Sequence, residues 1–207
     1  SFDNTEVGRL MAESMLENIP DGGDIFLIQG PLTDNNVSLI REGIDETLAG
    51  SNLNVVYEAN CPGWIAENAY TYTKEGLKLD RNVKGIICGN DDLASQAFRA
   101  LSEERLAGKV CVTGQDGDLA ACQRIVEETQ EMTAFKSVEQ EASLAAKCAV
   151  LLGLGEEIEE VQDTAYDGTY NVPYLELQPI AVTKENMDEV IIKGGFHAKE
   201  DVYLNVN

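Results

Sequence analysis

Asn36, Trp64, Asn90, Asp116 and Lys136 each follow the end of a short apolar run, and together they have the chemistry to grip a small polyhydroxylated ligand. A side-chain amide both donates to and accepts from hydroxyls, and an ammonium donates to a ring or hydroxyl oxygen. A carboxylate accepts from two adjacent hydroxyls with charge-assisted strength. An indole offers a flat face for stacking against C–H groups and an N–H donor at its edge. Each residue also has a plainer explanation: helix-entry polarity for Asn36, packing for Trp64, an ordinary exposed lysine for Lys136. The repetition is what points to a site. Open parallel α/β sheets bind ligands in the crevice beyond the carboxyl ends of their strands, and one such contact follows each run.

The elements that must position these residues alternate strand and helix. Apolar runs at 25–28, 53–57, 85–88, 109–112 and 132–135 read as short buried strands. Between them lie helical stripes: Val37, Ile40 and Ile44; a looser stretch at 65–77; Leu93, Ala97 and Leu101; Leu119, Cys122 and Val126. A first helix carries Val7, Met11 and Met15 behind a capping box of Asp3 and Glu6, and an Ala-rich helix at 138–152 follows the fifth strand. This order predicts an α/β fold, a parallel sheet flanked by helices with right-handed crossovers. Helix caps should absorb some of the loop polarity: Asp34 or Asn35 before the second helix, Asp91 or Asp92 before the fourth, and Asp118 before the fifth. That leaves Asn90 and Asp116 facing the crevice.

The last third changes character. The segment 153–167 is acidic without an apolar period, and 172–177 alternates around Pro173, as an edge strand or connector would. A short strand is expected at 179–182, then a short helix capped by Thr183 and stopped by Gly194-Gly195. The Ala-rich helix has no parallel strand after it, and the alternating tail has no evident partner. These orphan pieces imply that part of a second lobe lies outside the chain.

Composition excludes several classes. The 207 residues include 43% hydrophobics, enough for a globular core, and 37 acids against 15 bases give a formal charge of -22. Nucleic acid is therefore not an expected partner, since it demands basic patches. Cys61, Cys88, Cys111, Cys122 and Cys148 are odd in number, lack a CxxC pair, and read as small core residues, with Cys122 and Cys148 on apolar helix faces. His197 is the single histidine, which leaves little for zinc or for Ser-His machinery. No apolar run is long enough to span a bilayer, and Ser1 leads straight into a helix signal rather than a signal peptide. There is no phosphate loop and no nucleophile elbow. Asp91, Asp92, Asp116 and Asp118 could instead gather Mg²⁺ or Ca²⁺, the alternative of a metal-dependent sugar or phosphate enzyme fragment.

Several stretches resemble the D-xylose-binding proteins of bacterial ABC sugar transporters, members of the type 1 periplasmic-binding-protein family. They include Ser1-Phe2-Asp3-Asn4, Thr33-Asp34-Asn35-Asn36, Gly63-Trp64 with Glu67-Asn68-Ala69, Asn90-Asp91, Gly114-Gln115-Asp116, Thr129-Gln130, Lys136, Val172-Pro173 and Gly195-Phe196-His197. The likeness covers nearly the whole chain in order. It implies two hinged lobes closing over a pentose, no enzymatic activity and no cofactor. Its sugar-contacting positions here are Asn36, Trp64, Asn90, Asp116 and Lys136. It assigns 1–136 to the C-terminal sugar-binding lobe, 137–179 to an incomplete N-terminal lobe, and 180–207 to a tail returning to the first. Family members begin with a further stretch of roughly a hundred residues that carries arginine contacts to the sugar, a normal domain size. The partners it implies are a monosaccharide, D-xylose first, an ABC permease or a receptor histidine kinase, and the absent lobe or a second copy covering the open edge. The location it implies is periplasmic or extracellular, at the outer side of the membrane. One departure is local: the family carries a further aromatic near Asn60. The effector domain of a sugar-responsive repressor shares the fold and would carry a DNA-binding head upstream of Ser1.

Overall fold

Apolar runs too short for helices form the sheet. The structure, a computed structural model, describes residues 1–161 and 163–206. Strands β1 (Gly23–Gln29), β2 (Leu53–Asn60), β3 (Gly85–Cys88), β4 (Cys111–Gln115) and β5 (Met132–Phe135) lie in the order β2-β1-β3-β4-β5 and pair in parallel. The expected parallel sheet is therefore present. Strand β8 (Ile180–Val182) closes the β5 edge in antiparallel sense. Alternate side chains go to opposite faces of a strand. Ile25 and Leu27 accordingly join the core under helices α1 (Asn4–Asn18) and α2 (Asn35–Leu48), with Met11, Met15, Ile40 and Ile44. Phe26 and Ile28 face the other side, under α3 (Glu67–Leu79) and α4 (Asp91–Glu103), with Ile86, Leu93 and Leu101. A third cluster, around Phe135, Val182 and Met187, joins α5 (Leu119–Val126) to the C-terminal tail.

Several boundaries differ from the sequence reading. Strand β4 starts at Cys111 rather than 109, because the amides of Lys109 and Val110 bond back to the Leu106 carbonyl in a turn. It also runs on through Thr113, Gly114 and Gln115, polar or small residues that are nonetheless buried. Helix α3 begins at Glu67, after a 3-10 turn at Pro62–Trp64. Thr183 does not cap a helix. Its amide donates to Asn186 Oδ1, and the segment continues into a π-helical turn at Asp188–Ile192 and the short α7 (Lys199–Val202). The alternating tail does have a partner: β6 (Asp163–Tyr166) and β7 (Asn171–Tyr174) form an antiparallel hairpin of their own. Its turn is held by the Asp167 carboxylate, which accepts from the amides of Thr169 and Tyr170. Helix α6 (Val138–Leu154) buries none of its residues, so Cys148 sits half-exposed while the other four cysteines are buried. All five are free thiols.

Helices α1 and α2 approach so closely that their backbones touch through two glycines. A Cβ at Gly8 would lie 2.0 Å from the Ile40 carbonyl oxygen, and one at Gly43 would lie 1.9 Å from that of Thr5. Replacing a helical glycine by alanine ordinarily gains about 1 kcal/mol. Here the methyl must separate two packed helices, an overpacking cost of about 1–3 kcal/mol or more. Gly8→Ala and Gly43→Ala should therefore each lower the urea midpoint of unfolding, and a raised midpoint would show that the helices part freely.

Candidate functional site

The crevice floor is built from the ends of β1 and β3. Asp34 caps α2: its Oδ1 accepts from the Asn36 amide at 2.9 Å, and its Oδ2 accepts from Trp64 Nε1 at 3.0 Å. The indole lies over two glycines. A Cβ at Gly30 would come within 2.2 Å of its Cζ2, and one at Gly89 within 3.2 Å of its Cζ3. The sequence reading took the indole N–H as a free donor, whereas it is committed to Asp34, and the carboxylate that caps the helix also orients the ring. Asn36 is exposed, and its Oδ1 accepts from Asn4 Nδ2 at 3.1 Å. Asn4, buried in the first turn of α1, was not among the expected contacts because it reads as one more helix-entry residue.

The cap of α4 is Asn90, not Asp91 or Asp92 as expected. Asn90 caps α4, its Oδ1 accepting from the Leu93 amide at 2.9 Å. Asp91 is fully buried and turned inward. Its Oδ2 accepts from the amides of Gly117 (3.0 Å) and Asp118 (3.1 Å) and from Thr133 Oγ1 (2.7 Å), while its Oδ1 accepts from Gln130 Nε2 (3.0 Å). Gln130 in turn accepts from Arg124 Nε at 3.0 Å, and the buried Arg124 guanidinium faces the Phe98 ring. Asn and Asp are about equally good N-caps, so local sequence could not choose between them. Tertiary donors on β5 and the β4–α5 loop decide. Burial pushes the Asp91 carboxyl up to about 7, against the pull of Thr133, Gln130 and the Asp118 amide.

Asp116 and Lys136 end neighbouring strands and pair at 3.7 Å. Asp116 has φ 101°, a left-handed conformation rare for any residue but glycine. Its carboxyl is raised by burial first, with Lys136 pulling it back and Asp92 adding to the rise. Asp118 occupies the N-cap of α5, as expected, but its side chain makes no capping bond. Its carboxyl too is raised by burial and by the neighbouring Asp92 and Asp116. His197 bonds to the Gly117 carbonyl at 2.8 Å, and Phe196 packs on Phe135. A cavity of about 490 Å³ brings together Asn36, Asp116 and Lys136, with Asn4, Asp118 and Phe196 in its wall. Trp64 and Asn90 lie outside that lining. They connect to it through Asp34 and Asp91. A larger, mostly apolar groove of about 850 Å³ runs between α6 and β7 and adjoins the polar cavity at Ser1 and Glu141. Among the described residues, no group of three or more His, Cys, Asp or Glu is arranged to hold a metal ion. Asp91 points into the protein, where its two oxygens are taken by donors from Thr133, Gln130, Gly117 and Asp118.

A family model described as "Periplasmic binding protein domain" matches residues 1–157. The chain belongs to that family. It is 41% identical, over 98% of its length, to the D-xylose-binding periplasmic protein of Haemophilus influenzae, and 37% identical, over 98%, to that of Escherichia coli. It spans 62% of the length of each. The fold matches an ABC transporter solute-binding protein from Clostridium phytofermentans solved with bound β-D-glucose, with a TM-score of 0.84 at 24% identity, covering 98% of this chain and 68% of that one. The fold class is that of the type 1 periplasmic binding proteins, as the resemblance implied.

The Asp91 shift has a definite sign. An acid whose folded pKa is about 7 takes up its proton in the native state before the unfolded state does, near 3.8. Its contribution to stability is therefore present below about pH 4 and is lost as pH rises through about 7. The unfolding free energy of the parent minus that of Asp91→Asn should fall between those pH values in a series of urea titrations. A rise would mean that the four donors hold the carboxylate below its ordinary range.

Proposed function

We propose that this chain is the larger part of a solute-binding protein for D-xylose or a closely related aldose, serving uptake through an ABC permease. The observation that carries this reading is the cavity where Asn36, Asp116 and Lys136 meet, in a chain 41% identical to a D-xylose-binding periplasmic protein. No bond is broken in this function. The Asp116–Lys136 pair exchanges part of its mutual interaction for hydroxyl groups, Asp116 accepting and Lys136 donating. Asn36 contributes an amide. The cap at Asn90 uses its Oδ1 and leaves its amide N–H groups for the ligand. Selectivity follows from polar groups that the wrong sugar would leave buried without partners.

The same reading divides the chain. Residues 1–136 form one sugar-binding lobe, 137–179 belong to a second lobe, and 180–207 return to the first. It is supported by α6, which buries none of its residues, by the separate β6–β7 hairpin, and by β8, which rejoins the main sheet. The opposing jaw is then a lobe outside this chain, and the mature protein works in the periplasm or outside the cell. Docking on a receptor kinase instead of a permease would use the same sugar site.

Calorimetry separates the parts of this reading. D-xylose should bind this chain alone only weakly, with a Kd above roughly 1 mM, because one jaw is missing. Tight binding by the chain alone would sink the two-jaw account. In the two-lobed protein, Asp116→Ala should weaken D-xylose binding by roughly a hundredfold, the loss of charge-assisted bonds to two hydroxyls. Unchanged affinity would remove Asp116 from the site.

A further inference from the structure

We propose that Asp91 is a positioning residue for the ligand-facing carboxylate of Asp116, fixing from inside the protein the backbone of the loop that presents it. The proposal rests on the sugar-site reading of Asp116 and adds to it a residue that does not face the cavity.

The geometry is specific. Three successive amides of the β4–α5 loop are occupied: that of Asp116 by the Ala134 carbonyl at 3.0 Å, and those of Gly117 and Asp118 by Asp91 Oδ2 at 3.0 and 3.1 Å. Thr133 Oγ1 donates to the same oxygen and also accepts from the Gly117 amide. Two adjacent residues, Asp116 and Gly117, are held at positive φ, 101° and 73°. An L side chain enters that region only where its surroundings over-determine it. Asp91 supplies the constraint from below, and His197 supplies it from the other side through the Gly117 carbonyl. A slot is kept open for the carboxylate: a Cβ on Gly114 would lie 2.2 Å from Asp91 Oδ1. The chain also turns over between adjacent residues. Asn90, two residues beyond β3, caps α4, and the next side chain, Asp91, grips the loop carrying Asp116. Asp91 thereby sets the spacing of two strand-end contacts. Above about pH 7, where it is ionised, Asp91 makes only acceptor bonds, whereas a side-chain amide would set a donor against donors at any pH.

The test uses Asp91→Asn, with Thr133→Val as the milder lesion and Thr133→Ser as the conservative control. Hydrogen exchange of the Gly117 and Asp118 amides and the ¹³C-detected titration of the Asp116 carboxyl are read in this chain. D-xylose affinity is read in the two-lobed protein. Asp91→Asn is expected to speed exchange at both amides tenfold or more, to move the Asp116 titration midpoint, and to weaken D-xylose binding tenfold or more, with Ile86 and Ile87 in β3 keeping their protection. Thr133→Val should do the same to a smaller extent, and Thr133→Ser should stay near the parent. Should Asp91→Asn fail to fold, Thr133→Val decides by the same readings. Parent-like amide exchange and an unmoved Asp116 titration would overturn the proposal. If instead Asp116→Ala leaves D-xylose affinity intact, the sugar reading is what falls, and the exchange data keep the two failures apart.

Discussion

Burying one carboxylate obliges a protein to surround it with donors, and the crevice is organised by that obligation. An unpaired charge at the depth of Asp91 would cost several kcal/mol. Four donors from three places answer it: Thr133 on β5, Gln130 just before that strand, and two amides of the β4–α5 loop. Gly114 on β4 leaves the space, and Gln130 links the charge to the buried Arg124. Because these donors come from the loop after β4 and from β5 with a residue just before it, satisfying Asp91 ties the carboxyl end of β4 to the neighbouring strand that leads to Lys136. Asp116 and Lys136 are then left beside each other at the surface of a buried polar network.

A second constraint works by close approach. Gly30 and Gly89 let the indole of Trp64 lie on the strand ends, and Asp34 fixes its angle while capping α2. On the opposite face of the sheet, Gly8 and Gly43 let α1 and α2 touch, which sets Asn4 against Asn36. Polar side chains at the crevice are thus held by groups with structural duties of their own. This is why each one, taken singly in the sequence, reads equally well as a cap or a packing residue.

The parallel strands were legible because continuous aliphatic runs such as Ile25-Phe26-Leu27-Ile28 have few other uses in a short segment. Strand β4 was misplaced because Thr113, Gly114 and Gln115 look like loop residues. Their burial follows from the Asp91 slot and from a Gln115 bond to the Gly89 carbonyl, neither of which leaves a local pattern. The five candidate positions were legible as strand-end polarity, but their internal partners were not. The inward turn of Asp91 and the engagement of the Trp64 N–H both depend on residues some thirty to forty positions away. Helix α6 and the alternating segment that contains β7 read as orphans, and α6 keeps Val150, Leu152 and Leu154 at the surface. An apolar helix without a buried face fits a segment whose packing partner belongs to another lobe.

The central claim is that the strand-end crevice is one wall of a sugar site. A crystal structure of the two-lobed protein with D-xylose tests it most directly. The account predicts sugar hydroxyls within hydrogen-bonding distance of the Asp116 carboxylate, Lys136 Nζ and the Asn36 and Asn90 amides, with the ring against Trp64. Sugar bound instead in the apolar groove between α6 and β7, or bound without contact to Asp116, would contradict it.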